Sequence, residues 1–165
     1  MKLNDNAPNI TLTNASGHDF DLSQQLNQGK WQLVIFFRGS WCPACREEIK
    51  TLQEAKSYFD KHDVQITLIT QDDPSALQQM ITEDALAFDI LVDRDLQATK
   101  AYDVYYHSDK DDPYNDHGEH VEPAYFLLDD QGRVMYMQRQ TNPFGRPTPK
   151  ELRKTVQYIR KNLNA

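Results

Sequence analysis

The stretch WQLVIFFRGSWCPACREEIKTL, residues 31–52, decides how the rest of the chain is read. Its first seven residues form a continuous β-rich run, apolar but for Gln32, with β-branched and aromatic side chains. Such a run, with no polar alternation, predicts a strand buried on both faces. Just beyond it stand Cys42 and Cys45, the only two cysteines in 165 residues. Pro43 suits the first position of a helix, where a missing N–H costs nothing. Glu47 and Glu48 suit the first turns, near the positive pole of that helix. Cys45, Ile49, Leu52 and Phe59 then fall on one face at helical spacing. The stretch therefore reads as a buried strand, a short loop, and a helix with Cys-x-x-Cys at its start.

That junction has a chemical consequence. A helix N-terminus offers unpaired N–H groups and partial positive charge, so a sulfur held there is favoured as thiolate. The pKa of such a cysteine falls from about 8.5 to between about 3.5 and 7.5. Cys42, at the cap, is expected to gain most and to be the more exposed of the two. Cys45 lies about one turn in, close enough to bridge. One sulfur would attack a disulfide and the other would resolve the mixed disulfide. Trp41 would shield the pair on one side. Two bland readings compete. A zinc clip needs four ligands, and completing the set with His117 and His120 fits no zinc-finger spacing. An inert structural pair is disfavoured because two cysteines make no disulfide framework.

Working outward, LTNASGHDFDLS reads as a short hairpin around Ser16-Gly17. VQITLIT, residues 64–70, is a second buried strand. Asp73-Pro74 caps a helix whose inner face carries Leu77, Met80 and Ile81. FDILVD is a third strand and LQATKAYDV a short helix. PAYFLLDDQGRVMYMQ is a hairpin around Asp130-Gln131-Gly132. The last helix starts at the N-cap Thr148, with Pro149 at the first position and Glu151 closing a capping box. Leu152, Val156, Ile159 and Leu163 form its inward stripe. This order predicts an α/β domain over residues 1–165, with a mixed sheet covered by helices on both faces. Phe36, Phe37 and Phe126 read as core, and Phe144 is expected to pack.

The net charge of −7 opposes a nucleic-acid or anionic-membrane partner. No apolar run reaches the roughly 18 residues of a membrane span. The start of the chain carries no apolar segment of signal-peptide type, so a cytoplasmic location is expected. HSDKDDPYNDHGEH, residues 107–120, packs three His and five Asp or Glu into fourteen residues. An EF-hand register fails at Pro113, with no Gly following. A solvated acidic loop closing over the sulfurs is the expectation, with no metal and no cofactor.

At these residues the chain resembles the thioredoxin-fold redoxins, in particular the alkyl hydroperoxide reductase/thiol-specific antioxidant (peroxiredoxin-like) family. LNDNAPNITLTNASGHDFDLS is similar to the family's amino-terminal segment. VIFFRGSWCPACREEIKTL resembles its active-site strand and helix, and EPAYFLLDDQGRV its cis-proline strand and hairpin. The resemblance implies a thioredoxin-like fold with an N-terminal hairpin extension, and a cis peptide between Glu122 and Pro123. It sets Pro123 beside the cysteines and Glu122 where substrates arrive, as a proton carrier or a solvated charge. It also implies a thiol or disulfide substrate, a dithiol electron donor, and a monomer or weak homodimer.

The resemblance leaves two enzyme readings. In a dithiol–disulfide oxidoreductase, Cys42 is the nucleophile and Cys45 the resolving thiol. In a thiol peroxidase of P-x-x-x-T-x-x-C type, Cys45 would meet the peroxide. Cys42 then stands at the threonine position and Arg38 at the proline position, and the family's later active-site arginine has no clear counterpart. Arg38 would partly substitute as a cation near the thiols. These departures favour the first reading. A third reading is a redox-sensing module without turnover.

Overall fold

The computed structural model describes residues 1–115 and 117–163. Strand β1 (Thr11–Asn14) and strand β2 (Asp19–Asp21) form the expected hairpin, with Leu12 opposite Phe20. Helix α1 (Leu22–Leu26) follows at once, capped by the Asp21 carboxylate, which accepts from the Ser23 N–H. Strand β3 (Trp31–Phe36) is buried at every position, the polar Gln32 included, as expected of a largely apolar strand covered on both faces.

Helix α2 (Pro43–Glu54) begins at Pro43 and is followed by α3 (Lys56–Lys61). The helix expected to run on through Phe59 breaks at Ala55, yet Phe59 stays fully buried on α3. Then come β4 (Val64–Thr70), α4 (Pro74–Glu83), β5 (Asp89–Val92) and α5 (Gln97–Ala101). Two short strands, β6 (Tyr106–His107) and β7 (His120–Val121), pair with each other. Strands β8 (Ala124–Leu128) and β9 (Val134–Arg139) make the second expected hairpin, and α6 (Pro149–Asn162) ends the described chain.

Seven strands form one mixed sheet in the order β2-β1-β5-β4-β3-β8-β9. Strands β3, β4 and β5 run parallel, and β8 lies antiparallel to β3. The N-terminal hairpin extends the sheet by pairing β1 with β5. Successive residues of β3 alternate between two cores. Leu33, Ile35 and, just past the strand, Phe37 face a cluster that includes Ile49, Phe59, Leu77 and Val156. Val34 and Phe36 face a second that includes Leu22, Leu96, Tyr102 and Phe126. Helices α2, α3, α4 and α6 therefore cover one face, and α1 and α5 the other. This is the expected α/β layering, because a strand apolar on both sides needs cover on both. On α6, Leu152, Val156 and Ile159 are buried, whereas Leu163 is 58% exposed because it lies past the last turn as the C-cap.

The sheet order fixes the site. Strand β3 is central, so its C-terminal end, the loop 37–42 and the start of α2 open at one edge of both layers. The β8 strand beside it brings Pro123 to the same edge.

Candidate functional site

The loop leaving β3 is held by short-range bonds. Phe37 N–H donates to the Ile69 carbonyl at 3.0 Å, and the Thr70 hydroxyl donates to the Arg38 carbonyl at 3.4 Å. Asp72 accepts from Ser40 twice, from its N–H at 2.8 Å and its hydroxyl at 2.5 Å. Cys42 is the N-cap of α2, and its sulfur accepts from the Cys45 N–H at 3.2 Å. One of the helix's unpaired donors is thus satisfied by sulfur, where a hydroxyl or carboxylate oxygen usually serves.

The two thiols separate electrically. The Cys45 thiol donating to its sulfur, helped by the Cys45 backbone N–H and Arg146 and opposed by burial, brings Cys42 down to about 5. Burial pushes the Cys45 thiol up, and its hydrogen bond to Cys42 adds to that, with the Arg146 charge opposing. One proton is therefore shared between two sulfurs, with Cys42 as the thiolate at neutral pH. Both cysteines are free, and both are buried, Cys42 at 2% exposure and Cys45 at 0%. Cys42 is the more exposed of the two, as expected, though only marginally, and neither sulfur stands open to solvent. Trp41 packs on the same core cluster, and Arg146 reaches across the sulfurs.

Arg146 is the functional residue that sequence reading missed. Its Nη1 lies 3.3 Å from Cys45 Sγ and its Nη2 3.8 Å from Cys42 Sγ. Nη1 also meets Glu48 Oε2 at 3.2 Å, and Nε donates to the Pro143 carbonyl at 2.9 Å. The side chain is almost wholly buried. It sits in NPFGRPTP, which reads locally only as a rigid connector. Nothing local in that stretch points to the sulfurs, because the contact with Cys45 is made across 101 positions. Glu48, one helical turn beyond Cys45, also accepts from the Tyr125 hydroxyl at 3.3 Å. Burial raises the Glu48 carboxyl, while the Arg146 charge and the hydrogen bonds from Arg146 and Tyr125 lower it. Cys45, Glu48, Pro123, Tyr125, Arg146 and Pro147 line a narrow apolar pocket here.

Arg38, expected as the cation beside the thiols, pairs elsewhere. Its Nε meets Glu122 Oε1 at 3.2 Å, its Nη2 the Tyr114 carbonyl at 3.3 Å, and its guanidinium lies 4.9 Å from the Trp41 ring centre. Glu122 is 0% exposed, so it is no solvated charge. Its Oε1 lies 2.6 Å from His107 Nε2. The Glu122–Pro123 bond is trans, against the cis peptide expected by resemblance. The Glu122 N–H bonds to the Tyr105 carbonyl, and the Pro123 carbonyl accepts from Gln140 N–H, both at 2.9 Å. An extended path from β7 into β8 satisfies both, and trans is the ordinary X–Pro state. Phe144 does not pack into a core. It is 63% exposed and touches Tyr114 edge-on at 5.9 Å.

The loop 107–120 is less open than its composition suggests. His107 and His120 at its ends are buried, and His117 stacks on Trp41 at 3.8 Å, so the loop folds over the residue preceding Cys42. Asp116, part of the expected acidic loop, lies outside the described residues. Gly39 makes room for that stack. A Cβ there would lie 2.3 Å from Trp41 Nε1. Gly39→Ala is therefore expected to expel the indole from its seat. The check is a change in Trp41 emission in a Trp31→Phe background; an unchanged spectrum would mean that the loop yields instead.

A family model described as the AhpC/TSA family matches residues 3–137. Thiol-disulfide oxidoreductase ResA of Geobacillus kaustophilus is 29% identical over 99 residues, covering 59% of this chain and 55% of that protein. ResA of Geobacillus thermodenitrificans is 26% identical over 129 residues, covering 78% of this chain and 64% of that one. The chain thus spans less than two thirds of the length of these two relatives. Among solved structures, Peroxidoxin BcpB of Mycobacterium tuberculosis superposes with a TM-score of 0.80 at 15% identity, covering 98% of each chain. Mycobacterium tuberculosis AhpC gives 0.78 at 17%, covering 100% of this chain and 96% of that one. At such identities these two bear on the fold, which is thioredoxin-like.

Proposed function

Because the chain belongs to the AhpC/TSA family, and its two cysteines divide one proton unequally, we propose that it is a thiol-disulfide oxidoreductase. The observation that carries this is the placement of Cys42 Sγ at the N-cap of α2, where it accepts from the Cys45 N–H at 3.2 Å with Arg146 beside the pair; that setting lowers Cys42 to about 5 while burial raises Cys45. A peroxidase of the motif's register needs Cys45 as its thiolate, and Cys45 is the sulfur that keeps its proton.

The Cys42 thiolate attacks a substrate disulfide, breaking its S–S bond and expelling one thiolate. Cys45 then loses its proton to Glu48, which shares Arg146 with it and whose carboxyl burial holds up. The new Cys45 thiolate attacks Cys42, the second substrate thiol leaves, and the Cys42–Cys45 disulfide forms. Two electrons have passed to the substrate, and a dithiol donor returns them. Arg146 stabilises whichever sulfur is negative. Pro43 sets the helix start that caps Cys42, and Pro123 lines the pocket beside Cys45. Trp41 and Arg146 cover the sulfurs, so a substrate reaches Cys42 only when that cover shifts. A reducing compartment such as the cytoplasm keeps the pair ready.

The test combines turnover with titration. The reduced protein should reduce a small disulfide at the expense of a dithiol, and do so faster than it consumes hydrogen peroxide. Because the Cys42 pKa is lowered, its alkylation rate should rise with pH through about 5 and be flat between pH 7 and 8. A rate still climbing towards pH 9, as for a free thiol, would remove the proposed nucleophile. A peroxide rate exceeding the disulfide rate would favour the peroxidase.

A further inference from the structure

We propose that His107, His120 and Glu122 form a binding site for a borderline divalent cation of the zinc class, separate from the cysteine pair.

The topology builds this triad. In the β6–β7 pair His107 stands directly opposite His120. Glu122 follows two residues after His120, so along an extended strand the two share a face. Gly118, at φ +75°, makes the turn that brings the chain back to His120. All three side chains are buried, and one ligand atom from each lies within 4.8 Å of the others. His107 Nε2 is 2.6 Å and His120 Nε2 3.3 Å from Glu122 Oε1.

The outer ring nitrogens are already committed. His107 Nδ1 lies 2.6 Å from Asp112 Oδ2, and His120 Nδ1 2.8 Å from the Gly118 carbonyl. An imidazole that donates Nδ1–H to a carboxylate or carbonyl leaves Nε2 as its inward position, which is how metal-bound histidines are commonly held, and a cation entering there would displace the proton that His107 Nε2 now donates to Glu122 Oε1. An independent observation points the same way. The second carboxylate oxygen, Glu122 Oε2, is buried with no hydrogen-bond partner among the described residues. A carboxylate oxygen held away from water is destabilised unless a cation or donor meets it. Two imidazoles and one carboxylate are the donor set of zinc-type sites, with a fourth position left for water.

Arg38 is the competing cation, with Nε 3.2 Å from Glu122 Oε1 and Nη2 3.2 Å from His120 Nε2. Its guanidinium has other anchors on the outer side, the Tyr114 carbonyl and the Trp41 face. A divalent ion, with twice its charge and direct bonds to nitrogen, takes the inner position while Arg38 keeps those anchors.

The test uses the full chain with Cys42→Ser and Cys45→Ser, so that no thiolate can serve as ligand. Titration with Co2+ and Zn2+ should give one equivalent bound, with cobalt absorption of nitrogen and oxygen ligation. Glu122→Gln and His120→Asn in that background should each weaken binding at least tenfold. Asp112→Asn, which leaves all three ligands and touches a half-exposed loop, should weaken it about tenfold through His107. Circular dichroism checks that each variant is folded. Absence of binding by the folded protein, meaning that only water meets Glu122, would overturn the proposal. So would binding that Glu122→Gln and His120→Asn leave unchanged. If those two variants fail to fold, undiminished binding in Asp112→Asn overturns it instead.

Discussion

Cys45→Ser will leave the protein joined to its substrate. The serine hydroxyl can still donate to Cys42, and the backbone N–H of residue 45 still points at that sulfur, at 3.2 Å in the parent. Two of the contacts that lower Cys42 therefore survive, so the attack survives. The second displacement does not, because an alcohol is no nucleophile at neutral pH. Mass spectrometry should find one stoichiometric mixed disulfide through Cys42, stable until a reductant is added. Cys42→Ser should form none, and turnover should fall by at least about a thousandfold, as when any covalent nucleophile is removed. If Cys42→Ser traps the adduct, or still forms a sulfenic acid under peroxide, the roles within the pair are reversed and the peroxidase reading gains.

Arg146→Met should produce the second large effect, and it separates the two thiols by pH. The guanidinium lowers Cys42 both as hydrogen-bond donor and as charge. It is also the leading influence opposing burial at Cys45. Its loss should raise the Cys42 value from about 5 by about 1–2 pH units, the usual effect of one close opposite charge. The sign follows from that. Between pH 5 and 6 less thiolate is present, so alkylation of Cys42 slows severalfold. Above pH 8 the thiolate is fully formed, and its higher basicity makes it a slightly better nucleophile. Resolution by Cys45 suffers at every pH, since its thiolate loses the one cation within bonding distance among the described residues. Turnover should therefore fall about tenfold to a hundredfold. Ultraviolet thiolate titration and stopped-flow exchange check the two parts separately. An unchanged Cys42 titration would mean that the helix start and Cys45 suffice, and that Arg146 only fills space.

The local features that the sequence determined are those set by neighbours a few residues apart. A strand without polar alternation, a proline at a helix start, and a capping box at Thr148 are decided by φ, side-chain period and adjacent donors. Those fixed β3, the cysteine at the N-cap of α2, both hairpins and α6. With them came the thiolate expected at Cys42 and the layered fold. Residues 107–122 defeated this reading because their composition is polar while their ends are buried. Burial there depends on β6 meeting β7, a two-residue pairing too short to leave a period.

What the tertiary structure alone decided is everything that joins distant segments. Arg146 meets Cys45 across 101 positions and Cys42 across 104, and Arg38 meets Glu122 across 84. Which arginine reaches the sulfurs follows from strand order. Strand β8 lies between β3 and β9, so the chain leaving β9 must return over the start of α2 to reach α6. Arg38, at the end of β3, is drawn instead to the carboxylate that β7 delivers. No local pattern encodes that exchange, because the energy of a buried charge is set by the partner it meets in space. The same reason hid the histidine–glutamate cluster and the depth of Cys42.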